Sequence, residues 1–231
     1  MKTLKTRGLV IRNLDYKDTS VIVYILTPLG KLSVRALGAK SFKNKNHNFY
    51  EPLTYVSLEI TDSSFPTLIE YSIIDKFQDI KDDLKKYLDY SYLIEYLNHL
   101  PNDIPYERVL DYAINIIKLG RVSYSLNLIL MLQIKFLSIF GIKPEMNKCL
   151  YCENKPMFLS ISKGYGLCEK HNEANSYLIK DILKLYSFDI KKDSLDELSE
   201  INTSVILSFI NDYYQYHAYF RLKSVNSLII K

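Results

Sequence analysis

Up to about residue 77 the apolar positions recur every second residue in short runs, the period of a half-buried strand. Leu9, Ile11 and Leu14 mark a first strand, and Ser20–Thr27, rich in β-branched and aromatic residues, a second. Pro28-Leu29-Gly30 is a turn, since proline presets φ and glycine tolerates positive φ. Residues 31–37 alternate again, with Lys31, Ser33 and Arg35 on one face, and form a hairpin with the second strand. A basic, polar loop runs from Gly38 to Tyr50; strands over Leu53–Thr61 and Thr67–Asp75 follow, joined by Asp62-Ser63-Ser64-Phe65-Pro66. Five short strands in so few residues suit a small barrel of the OB type, which removes exposed sheet edges by closure.

From Asp79 the period becomes helical. Leu84, Tyr87, Leu88, Ser91, Tyr92 and Glu95 share a stripe that Leu93, Tyr96 and Leu97 widen. Leu100–Pro105 breaks this helix. Pro105 fits the first turn of the next, whose apolar positions run from Val109 to Ile117 and which Gly120 ends. Ser123 is placed to cap a third helix over Tyr124–Phe140, apolar on most sides and therefore central, stopped by Gly141 and Pro144. The tail is helical again, most strongly over Ser204–Leu222. The fold class is thus α+β: an OB-type barrel over 1–78, then an all-α domain over 79–231 with an insert at about 146–172 that holds every cysteine.

Composition narrows this picture. Hydrophobic residues make up 48%, enough to bury a core. The longest apolar runs, such as Leu128–Leu132, fall far short of the roughly 20 residues of a membrane span. The N-terminus lacks an apolar signal core, so a cytoplasmic protein is expected. The net charge is only +4, but it is segregated: residues 1–50 carry ten Lys or Arg against Asp15 and Asp18, and the rest of the chain is acidic. Segregation of this kind suggests that one end meets a polyanion; a solubilising surface is the competing explanation.

The cysteines have a spacing of their own. Cys149-x2-Cys152 is followed after 15 residues by Cys168-x2-His171. Two such pairs read as a structural Zn²⁺ site, because a tetrahedral ion held by thiolates and an imidazole has no position left for catalytic water. Gly164 and Gly166 allow the hairpin that returns the second pair to the first. A redox role for Cys149-x2-Cys152 is less favoured, since no thioredoxin-like βαβ pattern surrounds it.

Nucleic-acid backbones are held by cations along a groove, and single strands add stacking on aromatic rings. The candidate contacts are Lys31 and Arg35 on one strand face; Lys40, Lys43 and Lys45 in the loop, interleaved with Phe42 and with Phe49 or Tyr50; and Lys5, Arg7 and Arg12 along the adjacent strand. Tyr16, Tyr24 and Phe65 read as packing residues. No phosphate-cradling glycine loop occurs, the four histidines are scattered, and no nucleophile stands beside a base, so no enzyme is expected.

These residues resemble the RecO family of bacterial DNA repair proteins. The likeness runs through Gly8-Leu9-Val10-Ile11-Arg12, Asp15–Ser20, Thr27-Pro28-Leu29-Gly30-Lys31, Ala36–Lys40, Pro52-Leu53, the cysteine cluster and Arg221-Leu222-Lys223-Ser224. It implies an OB barrel, a helical domain and a zinc knuckle. It also implies binding of single- and double-stranded DNA, annealing of complementary strands, and help in loading recombinase onto strands coated by single-strand-binding protein. The implied partners are RecR and the C-terminal tail of single-strand-binding protein. Asp18 stands where the family commonly has Glu, and His171 where many members have a fourth Cys. An RNA-binding OB protein with a structural zinc knuckle, an adaptor with an incidental basic loop, and a nuclease with dispersed acids are the rival readings.

Overall fold

The computed structural model describes residues 2–41, 49–225 and 228. Strands β1 (Thr3–Tyr16), β2 (Ser20–Thr27), β3 (Gly30–Ala36), β4 (Tyr55–Thr61) and β5 (Leu68–Asp75) form one antiparallel sheet in the order β3-β2-β1-β4-β5. The long first strand serves both halves: its C-terminal part pairs with β2 and its N-terminal part with β4. A bulge between Val10 and Arg12 lets it bend from one half to the other. The fold class is the one the alternation predicts, but the sheet is not closed as a barrel. Its edges meet at a single parallel bridge, Arg35 to Thr67, where the Arg35 amide donates to the Pro66 carbonyl at 2.9 Å.

The concave side holds the core: Val10, Val21, Val23, Ile25, Val34, Val56, Leu58 and Ile60, with Phe49 beside them. Gly8 is fixed by this curvature. A Cβ there would lie 2.4 Å from Ile25 Cγ2 and 2.7 Å from the Leu26 carbonyl oxygen, so only glycine permits the close crossing.

Helices α1 (Gln78–Lys81), α2 (Leu84–Asn98) and α3 (Tyr106–Val122) follow. The change of period at 78 marks where strand gives way to helix, but compactness divides the chain later, into Met1–Arg121 and Val122–Lys231. Asp83 caps α2 by accepting the Lys86 amide. The stripe expected along α2 is partly rotated: Leu84 is 72% exposed and Tyr87 is also exposed, while Tyr90, Tyr92, Leu93, Tyr96 and Leu97 are buried. Gly120 does not end α3; it lies within it, against the Tyr90 hydroxyl, where a Cβ would come within 1.8 Å. Arg121 closes this unit by clasping Asp75 and Asp79, with its guanidinium 4.8 Å from the Phe77 ring centre.

In the second unit α4 (Leu126–Phe136) is the central helix, buried along almost its whole length. Ser125, not Ser123, is its cap, and the α-helix stops at Phe136 with turns continuing to 141. Around the cysteines a second sheet, β7-β6-β8, is built from β6 (Phe158–Ser160), β7 (Gly166–Leu167) and β8 (Ser176–Leu178). Helices α5 (Ile179–Ser187) and α6 (Thr203–Ala218) complete the unit. The Asn127 side chain donates to the Leu198 carbonyl at 2.7 Å, and the Tyr214 hydroxyl to that of Gln133 at 2.8 Å, satisfying polar groups beside the buried helix. The tail helix is shorter than its apolar pattern predicts, because Tyr219 turns left-handed and terminates it. Among the described residues no helix is long and apolar enough to cross a membrane.

Candidate nucleic-acid face and metal centre

The sheet sorts the candidate cations. Residues paired directly across strands share a face, so Arg12, Tyr24 and Ser33 form one outward row and Leu14, Ile22 and Arg35 the next. On the other half the outward row is Lys5, Glu59 and Glu70, with Lys5 ion-paired to Glu59. The β1–β2–β3 face is therefore cationic and aromatic, whereas the β1–β4–β5 face is charge-balanced.

Each described cation has its own surroundings. Arg12 is exposed, its guanidinium 5.3 Å from the Tyr24 ring centre. Arg35 lies 4.8 Å from the Phe65 ring centre and donates from Nη2 to the Phe65 carbonyl at 3.2 Å. Its Nε is buried without a hydrogen-bond partner among the described residues. Lys40 pairs with Asp15 beside the β1–β2 hairpin. Arg7 is on the other half of β1 and pairs with Asp111 of α3 at 2.9 Å. Phe42, Lys43 and Lys45 lie outside the described residues. Phe49 is buried and stacked on Tyr71 with centroids 4.1 Å apart, so it belongs to the core and not to a stacking surface.

Lys31 departs most from the expectation set by its strand position. Its Nζ donates to the carbonyls of Asn98 at 3.1 Å and Leu100 at 2.7 Å, which the end of α2 leaves open. Burial there lowers its pKa. The Asn98 side chain in turn donates to the Ile11 carbonyl at 3.1 Å, joining the helix end to β1. Lys31→Met is expected to cost about 1–3 kcal/mol of stability, the worth of charge-assisted hydrogen bonds removed from a partly buried site. Urea melting checks this, with low-salt DNA affinity of the folded variant expected to stay within about twofold; a large affinity loss at unchanged stability would return Lys31 to the binding face.

The second candidate site is the cysteine cluster. The donor atoms of Cys149, Cys152, Cys168 and His171 all lie within 4.8 Å of one another. Cys152 Sγ is 3.7 Å from Cys168 Sγ, and His171 Nδ1 is 3.5, 3.6 and 3.3 Å from the sulfurs of Cys149, Cys152 and Cys168. A tetrahedral ion with zinc bond lengths spaces two sulfurs by about 3.8 Å and a sulfur and a nitrogen by about 3.5 Å, so these residues fit such a group.

Local geometry assembles the donors. Cys168 directly follows β7, and one 3-10 turn, Glu169–His171, brings the imidazole back. Gly164 takes φ 63 in the hairpin turn, and a Cβ on Gly166 would lie 2.7 Å from Pro156 Cβ. The Leu150 amide donates to the Gly166 carbonyl at 2.9 Å, tying the first knuckle to the second. Burial raises the Cys149 thiol, but amides of Cys168, Tyr151 and Cys152 and the His171 side chain outweigh it and bring it down to about 6. A thiol so placed is largely thiolate at neutral pH, the state that ligates a metal. The Asn154 amide favours the Cys152 thiolate, yet burial and the neighbouring Cys168 and Cys149 leave that thiol raised.

Of the residues read as packing, Tyr24 is half-buried under Arg12 within the β1–β2 hairpin and Phe65 is 37% exposed. The alternation places Tyr24 on the outer face: Val23 and Ile25 face the core, so Tyr24 between them points away from it. Phe65 lies in a loop, where no periodicity could assign it a face.

A five-stranded OB-type sheet followed by helices, with a Cys3His cluster in the C-terminal region, defines the class: an OB-type domain joined to a helical unit whose Cys3His cluster could hold a metal ion. Residues 1–77 match the family model described as Recombination protein O N terminal. The chain is 28% identical to the DNA repair protein RecO of Halalkalibacterium halodurans over 95% of its own length and 92% of the relative's. It is 25% identical to the protein of that name from Bacillus pumilus, covering 96% and 91%, and 27% identical to one from Bacillus cereus strain AH187, covering 95% and 94%. The resemblance to the RecO family therefore extends along nearly the whole chain.

Proposed function

We propose that this protein is a DNA-binding protein of recombinational repair. In this reading it binds single- and double-stranded DNA, anneals complementary strands and helps load recombinase onto strands coated by single-strand-binding protein. The observation that carries the DNA-binding part is the sorting of charge on the sheet: Arg12 and Arg35 lie on one outward face, while acids balance the other. Cations spaced along such a face neutralise phosphates on two strands, and the lowered repulsion lets the strands approach. The family likeness supports a repair role and extends the reading to RecR and the C-terminal tail of single-strand-binding protein as partners, acting at the nucleoid. No catalytic group is required, because annealing makes and breaks no covalent bond.

The knuckle is proposed to hold one structural Zn²⁺ through Cys149, Cys152, Cys168 and His171. The ion would staple the loop ahead of β6 to the turn after β7. With four protein ligands it leaves no open position for water, so it serves folding and not hydrolysis.

Annealing of complementary oligonucleotides across a salt series, with and without single-strand-binding protein, tests the function. Acceleration over the protein-free rate that fades as salt rises supports it. Stronger binding to structured RNA than to DNA, without annealing, would favour the RNA-binding alternative.

A further inference from the structure

We infer that Tyr24 and Phe65 are base-stacking subsites, and that Arg12 and Arg35 bind the phosphates flanking the stacked bases. This rests on the nucleic-acid reading of the β1–β2–β3 face and adds what that face recognises: unpaired bases, not only backbone charge.

Two like pairs occur on this face. Arg12 is 5.3 Å from the Tyr24 ring centre and Arg35 is 4.8 Å from that of Phe65. A guanidinium held over a ring in the free protein keeps an exposed aromatic surface polar and the cation oriented. A base offers the ring a larger planar partner, and a phosphate offers the guanidinium a full charge with bidentate geometry. Exchanging one cation–π interaction for these two favours a strand that presents both groups at once. A duplex presents phosphates but keeps its base faces stacked inside, so it gains only the second. The subsites lie near one another: Tyr24 pairs with Ser33, and Arg35 is two residues further along β3, a diagonal of roughly 7–8 Å. Phe65 reaches this position because the Arg35–Thr67 bridge draws its loop to the β3 edge. Ile22 and Ser33, both half-buried, lie between Tyr24 and Arg35, and neither carries a charge to repel a base.

The experiment uses the full-length protein and three labelled probes of equal length: oligo-dT, a strand of abasic sugar-phosphate, and a duplex. Fluorescence anisotropy at fixed low salt should rank oligo-dT above the abasic strand by about 5- to 30-fold. Tyr24→Leu with Phe65→Leu should abolish the preference for oligo-dT over the abasic strand, while Tyr24→Phe should bind oligo-dT like the parent. Circular dichroism confirms that the variants fold. Equal binding of oligo-dT and abasic strand by the parent protein overturns the stacking subsites and leaves the phosphate-binding face standing. Failure of all three probes to bind even at low salt overturns both.

Discussion

Replacing Arg12 and Arg35 together by glutamate is expected to weaken single-strand binding by about two orders of magnitude near 0.1 M salt, and to lower the slope of log K against log salt by about 0.7 for each phosphate no longer neutralised. The size follows from where these side chains stand. They are the arginines on the outward face of the β2–β1–β3 half, and their partners are aromatic rings and a carbonyl, not carboxylates. Arg7 is committed differently: it already satisfies Asp111, so an added phosphate would have to displace that acid. Arg7→Gln should therefore change affinity much less than the double reversal. Salt-dependent binding isotherms separate the two outcomes. An unaltered slope in a folded double variant would mean that the strand runs elsewhere.

The second large effect concerns the knuckle. Elemental analysis is expected to find one zinc per chain, and Cys168→Ser to reduce this to less than about a tenth, since removing one of four ligands opens a site whose closure is its purpose. Structural zinc contributes about 10–16 kcal/mol of apparent binding free energy in isolated finger peptides, so the insert should unfold when the metal leaves. The insert offers little else to hold it: three strands of two or three residues and hydrogen bonds across a tight hairpin. Proteolysis should then cut within residues 146–178 at least about tenfold faster in the apo protein, with the sheet of the first unit remaining intact. Acidification should release metal as well, because ligation needs thiolate and neutral imidazole and each proton taken up competes with the ion. Equal protease resistance of loaded and stripped protein would show that the metal adds nothing to the insert.

These expectations draw unequally on sequence and structure. The strands were legible because period-two alternation of residues such as Val21, Val23 and Ile25 reports a buried face directly. The Cys3His cluster was legible because the spacing within each pair is a local property of one turn, and Gly164 and Gly166 lie close ahead of the second pair. Helix ends were less legible. Gly120 reads as a stop, yet the helix runs two residues past it, and the glycine is needed because the Tyr90 hydroxyl occupies the place of its side chain, a steric fact created by a different helix. Leu84 reads as core, yet α2 turns it outward because tertiary packing selects a neighbouring stripe of the same helix.

Lys31 and Arg35 show the limit most clearly. They lie on one strand and on the same face, with only Ser33 between them in that row, and no pattern of charge or hydropathy distinguishes them. The open carbonyls at the end of α2 take the ammonium of Lys31 into the structure, while Arg35 lies beside an aromatic ring at the sheet edge. Local periodicity and spacing were enough for the strands, the helical half, the charge asymmetry and the Cys3His cluster, because each of those depends on residues close in the chain. Which cations remain on the outer face of the sheet depends on backbone groups far along the chain, at Asn98 and Leu100 for Lys31, and only the folded arrangement decided that.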